Sequence, residues 1–404
     1  MEIISQKHTA CRVCGHGELK PYLDLGLIPL ANNLFETQEE AINAPRLPLV
    51  VAWCDNCGLS QLTEVVSGRQ LFRNYTYRSS VNQGYIEHCK KMALELKDKY
   101  GLNEETRHLD IAGNDGTLLY EFRKILNHHV TNIDPAKNLC DISRKKRIPS
   151  ICAFWGLRVA SYFEDTCDLI TATNVFAHLD NVTEFLEACK IALKPDGVLV
   201  IENPYWMETM EGNQFDQVYF EHMTYWSIRP MMDLCEKVNL HLVNLSYQDI
   251  HGGTMRYEIR KQKGDKEITE DYEVNFWNEL SDYQTWAANI YQLKDQISQN
   301  LTAIAKDKKV CAFAASAKGN TLLNFCGIGT DLIEFICDET PEKIGKYSPG
   351  TGIPIIGLES IINFQPDYVL ILSWNFKEEI IAKLRPLIPN AKYIIPIPNW
   401  EVIN

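Results

Sequence analysis

The sequence predicts an α/β protein in three parts: an N-terminal four-cysteine zinc module, a central Rossmann-like domain and a smaller C-terminal Rossmann-like domain. Three observations carry this. Two C-x-x-C pairs, Cys11-Arg-Val-Cys14 and Cys54-Asp-Asn-Cys57, open the chain. A strand, a Gly113-Asn-Asp-Gly116 loop and a helix then begin an alternating β/α pattern, the signature of a mostly parallel, doubly wound sheet. A second such pattern starts near Lys309.

The 404 residues are enough for two to four domains. A formal charge of −13 argues against a general nucleic-acid binder, because phosphate contacts need clustered Lys and Arg. Residues 1–10 are polar, unlike a secretory leader. The apolar runs fall short of the ~18–20 residues of a membrane helix, so a cytoplasmic protein without membrane contact is expected. In a reducing compartment the 13 cysteines should be thiols or thiolates. Those outside the two pairs, such as Cys140, Cys167 and Cys311, read as small core residues.

Residues 1–70 read as a loop-rich head, with Pro21, Gly26, Pro29, Pro45 and Pro48 interrupting regular elements. Leu47–Trp53 reads as a strand entering the second knuckle. So small a unit buries little, and a metal staple suits it. Residues 71–262 form the predicted central domain. Its helix 84–100 has Ile86, Met92, Leu94 and Leu96 on apolar faces. Strands follow at Arg107–Ala112, His129–Ile133, Cys167–Thr173 and Gly197–Glu202, with helices at Thr117–Leu126 and Val182–Leu193 and a turn at Lys194–Gly197. Met231–Val238 reads as a helix, and His241–Tyr247 and Met255–Arg260 as late strands. Residues 263–306 predict a helical connector with Trp277, Leu280, Trp286, Ile290, Leu293 and Ile297 facing a core. In residues 307–404, strands at Lys309–Ala314, Leu332–Cys337, Tyr368–Ser373 and Lys392–Pro396 accompany a Glu378–Leu387 helix.

Four constellations can carry chemistry. Cys11, Cys14, Cys54 and Cys57 supply the four soft ligands of a closed tetrahedral zinc site. Reduced pairs without metal and a redox C-x-x-C are the alternatives, and neither His8 nor His16 is expected to ligate. In the Gly113–Gly116 loop, backbone N–H groups can approach a ligand, with a helix N-terminus behind them. Asp134, at the end of the second strand, can accept from a ribose diol. Dinucleotides and S-adenosylmethionine both fit this logic; the missing G-x-G-x-x-G and the Asp110-led loop suit the sulfonium ligand better. Glu221-His222, embedded in aromatics, suits acid–base work. His178 follows a strand on the side of the sheet where ligands bind. Tyr75 and Tyr77, followed by Ser79 and Ser80, line a pocket or pack at a domain junction.

With these residues in hand, nearly the whole chain resembles the sugar C-methyltransferases of deoxysugar biosynthesis. The knuckles, Gly113–Thr117, Asn174–His178, Tyr219–His222, His251-Gly-Gly-Thr-Met-Arg256 and Ser316-Ala-Lys-Gly-Asn-Thr-Leu-Leu-Asn324 carry the resemblance. Where that family often has Tyr-His-Glu-His, this chain has Tyr219-Phe220-Glu221-His222, keeping only the second histidine.

The resemblance implies an S-adenosylmethionine-dependent enzyme with structural zinc, acting at C3 of a nucleotide-linked 4-keto-6-deoxyhexose; a monomer or weak homodimer is expected, although nothing in the sequence fixes oligomeric state. It implies His222 as the base that takes the C3 proton. His178 with Tyr77 or Tyr75 would stabilise the enolate oxygen, Tyr219 would share the catalytic loop, and Glu221 would orient His222 or bind sugar. Gly113, Asn114 and Asp115 would face the methionine end of the cofactor, Asp134 its ribose, and Asn174 and Phe176 its adenine or methionine side. Ser316, Lys318, Asn320 and Thr321 would hold the substrate diphosphate, with Arg256 a further substrate ligand. An O-methyltransferase acting on a sugar nucleotide, an NAD-dependent oxidoreductase and a zinc-dependent adaptor are the rival readings.

Overall fold

The computed structural model describes residues 3–72, 75, 77–264, 268 and 279–404. Among these the strands gather into four sheets. In the head, β1 (Ser5–Lys7) pairs with β5 (Glu64–Val66), while β2 (Lys20–Pro29), β3 (Arg46–Trp53) and β4 (Ser60–Leu62) form an antiparallel sheet. Pro21, Pro29 and Pro48 lie inside these strands rather than interrupting them. The sheet tolerates them because β2 is an edge strand and β3 meets β4 only over Val51–Trp53; a proline nitrogen there leaves no ladder bond unmade.

The central sheet comprises β6 (Arg107–Ile111), β7 (His129–Asp134), β8 (Ser150–Cys152), β9 (Cys167–Thr173), β10 (Leu193–Pro204), β12 (His241–Gln248) and β13 (Thr254–Arg260), in the order β12-β13-β10-β9-β6-β7-β8. The order reverses between β6 and β9, the switch point at which doubly wound sheets bind ligands. Lys194–Gly197 is not a turn: β10 runs through it, with a register shift against β9 between Leu193 and Val198. Leu94 is exposed; the helix Gln83–Tyr100 buries Tyr85, Cys89, Met92, Ala93 and Leu96 instead.

Of the strand β11 (Thr224–Tyr225) the sequence offered no sign, because it pairs with β4 of the head rather than with its own domain. The C-terminal sheet, β14 (Val310–Phe313), β15 (Ile336–Cys337), β16 (Ile355–Ile356), β17 (Tyr368–Ile371), β18 (Lys392–Ile395) and β19 (Glu401–Ile403), runs β16-β15-β14-β17-β18-β19. Its own switch point lies between β14 and β17.

The head has no private core. Its knuckles (Cys11, Val13, Cys54, Cys57, Leu59) pack with the central sheet, and its strands (Leu23, Leu25, Leu49, Val51) pack with the connector helix and the C-terminal sheet. The connector helix Leu280–Ala305 starts at a capping box of Glu279 and Asp282 and buries Trp286, Ile290, Leu293 and Ile297 as the periodicity predicts; Trp277 lies outside the described residues. Trp286 is 1% exposed, with its ring 6.4 Å from Tyr22 and 5.5 Å from Trp206. Trp286→Ala should therefore destabilise the protein by about 3–5 kcal/mol, read as a lower denaturant midpoint. A midpoint equal to wild type would show that the helix does not staple the parts together.

Candidate active site

The Sγ atoms of Cys11, Cys14, Cys54 and Cys57 all lie within 4.8 Å of one another, with Cys11–Cys57 at 3.4 Å and Cys14–Cys54 at 3.5 Å. Tetrahedral zinc with Zn–S bonds of about 2.3 Å separates its sulfurs by about 3.8 Å, so the four thiols fit a closed structural site. Neither His8 nor His16 belongs to the group. Of the scattered cysteines only Cys152 is exposed.

A cleft of about 670 Å³ runs between the three parts of the chain. Both switch points open onto it. From the central sheet come Gly113, Asn114, Asp134, Asn174 and His178; from the C-terminal sheet come Ser316, Lys318, Asp338, Ser373 and Asn375. Tyr75, Tyr77, Tyr219, His222 and His251 complete its middle.

His222 is buried. Its Nδ1 lies 2.8 Å from the Gln217 carbonyl, which can only accept, so Nδ1 carries the hydrogen. Nε2 is then the acceptor, 2.7 Å from the Tyr219 hydroxyl. Burial, reinforced by neighbouring His178, holds the His222 pKa well below its ordinary value. Burial alone takes His178 down to about 4. The two rings stack at 5.1 Å, and Phe72 covers the His178 ring at 5.2 Å. Imidazoles held toward their neutral form keep a lone pair to accept a proton and offer no positive charge to an anion.

The Gly113–Gly116 loop turns through left-handed backbone at Ala112 (φ 52°), Asn114 (φ 54°) and Gly116 (φ 76°). Gly113 is obligatory: a Cβ there would sit 2.3 Å from Asp110 Oδ2. Asp134 tightens the turn, accepting from the Asn114 N–H at 2.9 Å and the Ala136 N–H at 2.8 Å. Its second lone pairs remain for a ligand diol. Burial raises its pKa from 3.8 to about 6. The backbone carbonyls of Tyr75 and Tyr77 accept from the side chains of Asn138 and Asn114, so both tyrosines are hung from the loops of this sheet.

In the C-terminal wall, Ser316 caps the helix Ala317–Phe325, its hydroxyl accepting from the Gly319 N–H at 3.1 Å. Lys318 donates to the His251 carbonyl at 3.3 Å and lies over the Trp374 ring; burial lowers its pKa.

Several expected site residues stand elsewhere. Asp115 is fully buried, accepting from Ser80, Thr117 and Lys146 away from the cleft. Phe176 is a core residue between Phe185 and Trp226. Asn320 donates to the Ala31 carbonyl and accepts from Ser348, and Thr321 donates back to the Ala317 carbonyl, so both fix the helix rather than a ligand. Arg256, 2% exposed, is locked between Glu202 and Glu95, while Glu202 also holds His88. Glu221 does not touch His222; it accepts from Asn32 at 2.8 Å, and the Gln217 carbonyl orients the imidazole instead.

Lining residues that the sequence reading passed over include Phe154 and Trp155, after β8 beside Asp134, and Lys343 and Lys383 of the C-terminal wall. The signal for the aromatics was an edge strand too short to recognise. The lysines carried none.

Among the described residues no helix is long and apolar enough to cross a membrane. Over its full length the chain is 30% identical to C-methyltransferase NovU of Streptomyces niveus, covering 100% of this chain and 99% of that protein. Family models described as “Putative zinc binding domain”, “Methyltransferase domain” and “C-methyltransferase C-terminal domain” match residues 11–72, 79–245 and 249–398 in turn. Among solved structures, geranyl diphosphate C-methyltransferase from Streptomyces coelicolor A3(2) aligns with 45% of this chain and 83% of its own at 10% identity and TM-score 0.36. A SAM dependent methyltransferase from Aquifex aeolicus aligns with 43% and 97% at 17% identity and TM-score 0.34.

The purified protein should carry one zinc per chain by metal analysis. Cys57→Ser, removing a fully buried thiolate ligand, should lose the metal and unfold at lower temperature. Full zinc content in that variant would break the four-thiolate assignment.

Proposed function

The chain belongs to the family of S-adenosylmethionine-dependent C-methyltransferases, and from that premise we propose that it methylates C3 of a nucleotide-linked 4-keto-6-deoxyhexose. The observation that carries the reading is the His178–His222 stack in a cleft onto which the switch points of two doubly wound sheets open. A carbon nucleophile must first lose a proton, and a C–H beside a ketone is acidic enough for an imidazole, because its anion delocalises onto the ketone oxygen. S-adenosylmethionine, when bound, supplies an electrophilic methyl on a sulfonium.

Asp134 would hold the ribose hydroxyls of the cofactor, Gly113 and Asn114 its methionine end, Phe154 and Trp155 its adenine, and Asn174 its inner side. At the other end, Ser316 and Lys318 take the diphosphate. The sugar then lies across Tyr219, His222 and His178. His222 receives the C3 proton at Nε2, the atom left free of hydrogen by the Gln217 carbonyl. The Tyr219 hydroxyl turns its hydrogen from Nε2 to the C4 oxygen, where negative charge develops, and His178 and Tyr77 or Tyr75 supply further donors there. A cleft that held both ligands would bring the sugar carbon and the methyl donor together, and such positioning supplies much of the acceleration.

The same histidine could deprotonate a hydroxyl, so O-methylation is the reading to separate. Exchange of the C3 hydrogen with solvent, in the absence of methyl donor, favours carbon as the nucleophile; a product methylated on oxygen excludes it. His222→Gln and His222→Asn should bind S-adenosylmethionine as wild type does, yet lose at least about 10²-fold in kcat. Near-normal turnover would remove His222 as the base.

Asp134 sets a pH limit on cofactor binding. Its pKa, raised to about 6, means that the carboxylate loses its charge as pH falls through 6, so cofactor affinity should weaken there. Titration calorimetry across pH 5 to 8 on wild type and Asp134→Asn tests this. A wild-type affinity flat through pH 6 would contradict the ribose assignment.

A further inference from the structure

We infer that Arg12, inside the first zinc knuckle, is a positioning residue that fixes the spacing of the two cleft histidines; the inference rests on the catalytic reading above. Its side chain is 3% exposed. The guanidinium bridges two chain segments. Nε donates to Asp180 Oδ1 at 3.2 Å, two residues after His178. Nη1 donates to Gln61 Oε1 at 2.6 Å and to the Leu62 carbonyl at 3.1 Å, both on β4. The Arg12 backbone N–H adds a bond to Gln61 Oε1 at 3.3 Å.

β4 in turn holds the segment bearing His222. Gln61 stands opposite Thr224 in the β4–β11 ladder, and the Leu62 N–H donates to the Met223 carbonyl at 2.9 Å. The Met223 N–H donates to the Ala177 carbonyl at 2.7 Å, joining the two histidine segments directly. One planar fork therefore ties the loop after His178 to β4, which carries the strand after His222. His8 Nε2 lies 3.4 Å from the same Asp180 oxygen.

The zinc ligands explain why the fork can do this. Cys11 and Cys14 flank Arg12, while Cys54 and Cys57 precede β4 by a few residues. Closing the four thiolates into one site fixes the Arg12 backbone against the start of β4. The metal module thus acts as a clamp on the acid–base pair as well as a staple for a small fold. A displacement of about 1 Å between reacting groups costs about 10²-fold in rate. Arg12 acts on the histidines rather than on either ligand, so its loss should appear in kcat and spare binding.

The test compares wild type with Arg12→Ala, Arg12→Lys and Asp180→Ala, each assayed for zinc content, cofactor Kd, sugar-nucleotide KM and kcat. Labelling of His178 by diethylpyrocarbonate, read by peptide mass, gives a measure independent of turnover. Arg12→Ala should keep its zinc, its cofactor Kd and its KM, lose about 10- to 100-fold in kcat, and label several-fold faster at His178. Arg12→Lys should recover part of the loss, since an ammonium reaches one acceptor but not both. Stripping zinc from wild type with a chelator should speed the same labelling. Zinc-replete Arg12→Ala with wild-type kcat and labelling overturns the inference. Should Arg12→Ala fail to fold or lose its metal, Asp180→Ala decides: lower kcat and faster labelling at full zinc support the clamp, and wild-type values overturn it. A wild-type enzyme that methylates no sugar carbon, while labelling responds as described, would refute the proposed reaction and leave the clamp standing.

Discussion

The arrangement depends on burying one segment, Gln214 to Trp226, between parts of the chain that are far apart in sequence. Every residue of it is buried except Tyr219, which is half-buried and faces the cleft. Its apolar side chains are divided between two cores. Phe215, Val218, Phe220 and Tyr225 pack with the head strands, connector helix and C-terminal sheet, while Trp226 packs with the knuckles and the central sheet. Hydrogen bonds grip it from three sides: Trp374 donates to Asp216, the β4 ladder pairs with Thr224 and Tyr225, and the Gln217 side chain donates to the His251 carbonyl that Lys318 also reaches. A histidine carried on this segment cannot shift without disturbing all three parts, and the same confinement pushes its pKa down.

Much of the fold was legible because its signals are local. The knuckles announce themselves by spacing, and the parallel strands by short β-rich runs between helices. Gly113 and Asp134 were legible because a turn at a strand end constrains residue type. β11 was not, because a two-residue strand has no pattern of its own and is specified by β4, more than 160 residues earlier. For the same reason Arg256 and Asn320 misled the sequence reading. Each is a polar residue in a motif-like run, but each is consumed by partners from distant parts of the chain: Glu95 and Glu202 for Arg256, Ala31 and Ser348 for Asn320. A buried polar residue must find partners, and the sequence does not say whether those partners are protein or ligand.

Electrostatics divide the cleft into two ends. In the middle, desolvation favours neutral forms, with His178, His222 and His251 all pushed down and the Tyr219 hydroxyl pushed well up. Toward the C-terminal sheet the wall is charged, with Lys343 paired to Asp338 at 3.3 Å, Lys383 paired to Glu339 at 2.6 Å, and Lys318 nearby. A charged group seated at that end stays away from the imidazoles, whose unprotonated form a nearby anion would disfavour.

The most direct test is a crystal structure with S-adenosylhomocysteine and a 4-keto-6-deoxy sugar nucleotide bound together. The account predicts the thioether sulfur on one face of the sugar C3, His222 Nε2 within hydrogen-bonding reach of that carbon's proton, the Tyr219 hydroxyl on the C4 oxygen and the diphosphate against Lys318. A sugar ring seated away from His222, or a diphosphate outside the C-terminal wall, would contradict it.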